Sequence, residues 1–131
     1  MRRMLFINLP VTDLPTATDF YTGLGFDLNA DFSSAECSCI MVSDTIVVML
    51  LVRDRFADFT AGPVGDARTS TTVINCLSAV SRDEVDELVT RALASGGKPW
   101  LDKFTDGPMY GHSFADPDGH IWEMLFMEPT G

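Results

Sequence analysis

The side chains able to act as nucleophile, base or metal ligand near neutral pH are few, and their spacing limits what they can do. Cys37, Cys39 and Cys76 are the only thiols, odd in number and with no CxxC pair. That pattern reads as reduced thiols in a cytoplasmic protein. Cys37 and Cys39 fall on one face of a strand with no base beside them in sequence, so they read as structural, because a reactive cysteine needs a setting that stabilises the thiolate. His112 and His120 are the only histidines. A transition-metal site needs three or more protein ligands, more than this pair supplies. Asp116-Pro117-Asp118-Gly119 places two carboxylates around a turn, but the calcium-loop spacing and its distal glutamate are missing. We read it as a turn that aims the strand after it.

The 131 residues, with a formal net charge of −10 and 46% hydrophobic content, fit one folded domain or two small modules sharing a core. The acidic balance opposes binding to nucleic acid or an anionic membrane, and mildly favours neutral or cationic small molecules. The N-terminal apolar run is short and broken by Asn8 and Pro10, so it is expected to be neither a signal peptide nor a membrane span.

These candidate groups must be positioned by regular elements, and the order of elements repeats. A strand over residues 4–9 is predicted to end at Pro10. A helix follows from Asp13 to Leu24, with Asp13 as N-cap, Pro15 early, an apolar stripe of Ala17, Phe20, Tyr21 and Leu24, and Gly23 and Gly25 as stop. Strands are predicted over residues 26–31, 37–42 and 46–52, the last two forming a hairpin. Residues 53–70 read as a surface linker with one helical turn. The order then begins again: a strand over 71–79, a helix opened by the capping-box residues Ser81 and Glu84, and strands over 98–103, 109–115 and 120–127. Ser81 lies 68 positions after Asp13, and Phe20 maps onto Leu88 at the same offset. The expected architecture is therefore α+β: two βαβββ modules, residues 3–52 and 71–128 within a single domain over 1–131. Neither module can bury both faces of its sheet alone, so the two are expected to share a core.

Asn8-Leu9-Pro10-Val11-Thr12-Asp13-Leu14, Phe20-Tyr21 and Leu24-Gly25-Phe26 resemble the opening of the vicinal oxygen chelate superfamily. That group includes glyoxalase I, bleomycin-resistance proteins, fosfomycin-resistance enzymes and extradiol dioxygenases. Phe114-Ala115-Asp116-Pro117-Asp118-Gly119-His120-Ile121-Trp122-Glu123 is similar to its terminal hairpin. The resemblance implies modules that curl as mixed sheets around a ligand cleft, commonly with pairing across chains, hence a homodimer. It also implies a divalent metal held by the first and last strands of each module, usually by His or Gln and by Glu. Such an ion grips neighbouring substrate oxygens as a Lewis acid.

Carried over position by position, the resemblance puts those ligands at Phe6, Met49, Ile74 and Glu123, of which only Glu123 is a good donor. No metal or other cofactor is therefore expected, with Fe, Mn, Ni or Zn as the alternative. Strand parity sends Phe6, Asn8 and Pro10, and with Glu123 also Ile121 and Leu125, to the cavity, and the resemblance adds Met49. Ile74 and Cys76 join them unless the fifth strand slips by one residue, which would place Asn75 there instead. Tyr110 and His112 are added at the cavity rim. Glu123 reads either as a general base or cation anchor, since apolar surroundings suit a carboxylate to accepting a proton near neutrality, or as an inherited residue bonded to a neighbour. Asn8 bonds either a ligand or a strand-end backbone group. His120 closes the turn, while His112 is the candidate for a rebuilt site with Glu123. The remaining methionines and aromatics read mostly as core.

Two functions follow. One is a small-molecule-binding protein with a degenerate metal site, similar to bleomycin-resistance proteins. The other is a metal-dependent lyase or isomerase of the glyoxalase I kind, or an extradiol-type dioxygenase, acting on a small oxygenated substrate.

Overall fold

A computed structural model describes residues 1–129, so the last two positions of the expected domain lie outside the described residues. The chain divides into two compact units, Met1–Asp66 and Ala67–Gly131. Each unit is a mixed sheet backed by one helix, and the fold is α+β.

In the first unit, β1 (Leu5–Val11), α1 (Leu14–Gly23), β2 (Asp27–Leu28), β3 (Cys37–Met41) and β4 (Ile46–Val52) run in chain order, with α2 (Arg53–Ala57) after them. The sheet order is β1-β4-β3-β2, β1 lying parallel to β4 and the other pairs antiparallel. Contrary to expectation, β1 runs through Pro10 to Val11. It is an edge strand, where proline's missing N–H breaks no ladder. The second strand is also shorter than expected: after Leu28 the chain turns into a 3-10 turn over Ala30–Phe32, with the Asn29 side chain accepting from Asp31 N at 3.2 Å. Asp13 caps α1 by accepting from Thr16 N at 3.0 Å, and Gly25 takes φ +99° just past the helix end. Ala17, Phe20 and Tyr21 of α1 are buried, as are Ile40, Val48 and Leu50 on the sheet face toward it. Thr18 Oγ1 and Ser38 Oγ, 2.7 Å apart, tie helix to sheet.

The second unit contains β5 (Ile74–Ser78), α3 (Arg82–Ala94), β6 (Lys98–Pro99), β7 (Phe104–Asp106), β8 (Met109–Ala115) and β9 (Ile121–Met127). Its order β5-β9-β8-β6, with β7 also on β8, repeats the first sheet: the first and last strands lie parallel, and the strand before the last pairs with it antiparallel. Ser81 caps α3 by accepting from Glu84 N at 3.1 Å. Glu84 reaches back to Val80 N at 3.0 Å, one residue before the donor a capping box uses. The strand expected over 98–103 is reduced to two residues, and a separate short strand, β7, takes up pairing further on. Trp122, Phe114, Met124 and the α3 residues Val85, Val89 and Ala92 form the buried layer.

Candidate ligand-binding site

Alternation along each strand decides what each sheet offers on the face away from its helix. In the first unit Asn8 pairs with Met49, Phe6 with Val47, and Cys39 with Met49 across the next ladder. Phe6, Asn8 and Met49 therefore share one face, opposite the layer under α1. Two adjoining cavities of about 350 and 460 Å3 open on this face, both touching Asn8, Leu51 and Phe59. Their outer wall is α2 and the turn after it, which the sequence reading assigned to a linker. Arg55 holds its guanidinium 4.7 Å from the Phe59 ring centre and donates to Asp58 Oδ2 at 2.8 Å. Phe56 adds a second ring to the cavity wall. The i, i+3 spacing of Phe56 and Phe59 was the available signal for these residues. Charged neighbours and the later glycines mask this apolar pair within the single helical turn expected there. The Asn8 amide donates to the Phe6 carbonyl at 3.3 Å.

In the second unit Cys76 pairs with Glu123, Ile74 with Ile121, and Ser113 with Glu123. Ile74, Cys76, Ile121 and Glu123 thus share a face, in the unslipped register. The Cys76 thiol donates to Glu123 Oε1 at 3.6 Å. Burial pushes this thiol up from its ordinary value, and the Glu123 charge and hydrogen bond push it further. Buried Ser113, missed in the sequence reading, lies across from Glu123 and accepts from Leu101 N at 3.2 Å.

Tyr110 and His112 do not join this group. Glu123 is level with Ser113, so the residues of even number on β8 turn to the opposite face, toward α3. There the Tyr110 hydroxyl donates to Asp86 Oδ1 at 2.5 Å, which together with burial pushes the phenol up, and Arg82 covers its ring. His112 lines a groove of about 600 Å3 with Asp86, Thr90, Asp102 and Lys103. This register places His112 and Glu123 on opposite faces of the sheet. His120 sits at the turn, where its N–H and that of Asp118 both donate to Asp116 Oδ1, at 2.8 and 2.9 Å. Gly119 closes the same turn at φ +91°.

Phe6 and Ile74 carry no donor, and Met49 carries only a thioether. Among the described residues no three His, Cys, Asp or Glu side chains come together to hold a metal ion. The Glu123 carboxylate, steadied by the Cys76 thiol, retains acceptor capacity for a proton or a cationic group.

The sequence profile of the Glyoxalase/Bleomycin resistance protein/Dioxygenase superfamily matches residues 3–124. The chain belongs to this superfamily. Among solved structures, this superfamily member is similar to a hypothetical protein from S. aureus, at 26% identity, TM-score 0.80, and coverage of 96% of this chain and 94% of that one. It shares its fold with a lactoylglutathione lyase from Agrobacterium tumefaciens at 20% identity and TM-score 0.70, covering 96% and 93% of the two chains. A genomically encoded fosfomycin resistance protein from Listeria monocytogenes aligns at 19% identity and TM-score 0.70, again over 96% and 93%. No curated protein matches the sequence. No helix among the described residues of this superfamily member is long and apolar enough to cross a membrane.

Proposed function

We propose that this protein binds a small organic molecule and does so with a degenerate metal site. The carrying observation is the donor set: of the four positions where the superfamily holds its ion, Phe6, Met49 and Ile74 are occupied by side chains that bind hard cations weakly or not at all. Glu123 keeps its carboxylate, with Cys76 as its neighbour. The cavities against Asn8 and Leu51 are of a size for a small ligand, with Met49, Leu51, Phe56 and Phe59 as apolar wall and Asn8, Ser34, Glu36 and Arg55 as polar groups. The working form in this reading is a homodimer, since β1 and β5 are edge strands on which Phe6 and Ile74 are 55% and 57% exposed. Three free thiols favour a reducing compartment, the cytoplasm.

The test is the metal content of protein purified without chelator, followed by titration with Fe2+, Mn2+, Ni2+ and Zn2+ while following Tm. No bound ion and no shift is the expected result. A specific ion would raise stability by about 2.7 kcal/mol at a hundredfold excess over its Kd. Stoichiometric binding lost in Glu123→Ala would overturn the proposal. It would favour instead a metal-dependent lyase or isomerase, or a dioxygenase.

A further inference from the structure

The cavity of the first unit is lined by one cation and one anion, Arg55 and Glu36, which do not pair with each other among the described residues. Both are anchored. The Arg55 guanidinium is stacked on Phe59 and uses Nη1 on Asp58, leaving further N–H donors uncommitted. Its pair with Asp58 is solvent-exposed, at 43% and 59% of side-chain surface, and such pairs hold weakly. Glu36 is pinned through its backbone, its N–H donating to Ser34 Oγ at 3.1 Å and its carbonyl accepting from Val52 N at 3.0 Å. Its carboxylate has no partner among the described residues. Met49, Leu51, Phe56 and Phe59 supply the apolar surface of the same cleft. Phe59 is 68% exposed, so ring surface beyond the guanidinium contact is open for stacking.

Each simpler ligand leaves one of these groups opposed. A cation meets Arg55. An anion meets Glu36 and a chain of net charge −10. An uncharged aromatic takes water from both charges and returns nothing. Deepening the small-molecule-binding reading, on which this rests, we propose that the cleft takes a small zwitterion with an aromatic body. Its carboxylate goes to Arg55, its ammonium to Glu36, and its ring lies against Phe59 and Leu51.

A matched series tests this by calorimetry on the full chain: tryptophan (zwitterion), tryptophanamide (cation) and N-acetyltryptophan (anion). Tryptophan is expected to bind tighter than either derivative by about tenfold, the effect of one charge-assisted hydrogen bond. Arg55→Gln should bring tryptophan down to the level of tryptophanamide, and Glu36→Gln should bring it down to N-acetyltryptophan. Both positions are at the surface, and far-ultraviolet circular dichroism confirms that each variant is folded. Three probes bound alike, none bound, or an order unmoved by the two variants would each overturn the zwitterion. The metal titration is independent of all three results, so failure here leaves the metal-free reading to be judged by its own test.

Discussion

The Cys76 thiol stands 3.6 Å from Glu123 Oε1, across the parallel ladder that joins the first and last strands of the second unit. The Glu123 carboxylate is therefore bonded to a thiol. The thiol donates to Oε1 and leaves the second carboxylate oxygen open to another donor.

Cys76 should ionise later than an ordinary thiol, since burial and the Glu123 charge both disfavour the thiolate. The rate of alkylation by iodoacetamide, followed by mass spectrometry against pH, is expected to rise at a higher pH than for a model thiol. Glu123→Gln should move the rise downward. The sign for stability follows: a folded-state value above the unfolded one helps folding below the ordinary thiol range, and this contribution fades as pH rises through the folded value. An alkylation midpoint unchanged by Glu123→Gln would show that the pair does not form.

Gly119→Ala should destabilise the protein by about 1–3 kcal/mol in urea melts. The residue sits at φ +91°, and an added Cβ would lie 2.8 Å from both the Arg68 backbone nitrogen and its Cα. Neither is the end of a flexible side chain that can move aside. Gly62→Ala, where a Cβ meets nothing within 4 Å, is the control and should change little.

Tyr110→Phe removes the hydroxyl that donates to Asp86 and should cost about 1 kcal/mol. Tyr110 faces α3, so ligand affinity measured on the variant should be unchanged. A large loss of binding with intact stability would return Tyr110 to the ligand site.

Trp122 is the largest fully buried side chain, at 1% exposure. Trp122→Ala should cost about 3–5 kcal/mol by leaving a cavity between β9 and α3. The drop in the urea midpoint, with unchanged slope, is the measurement that checks it.

Much of this molecule was legible in its sequence because the signals are local. Asp13 and Ser81 announce their helices through bonds to backbone three residues on, and Asp116 organises its turn within four residues. The repeat of the first helix in the third needs only periodicity and the 68-residue offset. What tertiary structure alone decided depends on partners distant along the chain. Strand parity groups residues within one strand, but which group on β8 shares a face with Glu123 waits on the β8–β9 register, and that register sent Tyr110 and His112 toward α3. Pro10 could stay in β1 because β1 is an edge strand of its sheet among the described residues. Arg55, Phe56 and Phe59 became a cavity wall because α2 packs on β1 and β4, a contact that five helical residues cannot announce by themselves. A one-residue slip in pairing reverses every side chain of a strand, so the faces of a sheet are a property of the folded pairings and not of any one segment.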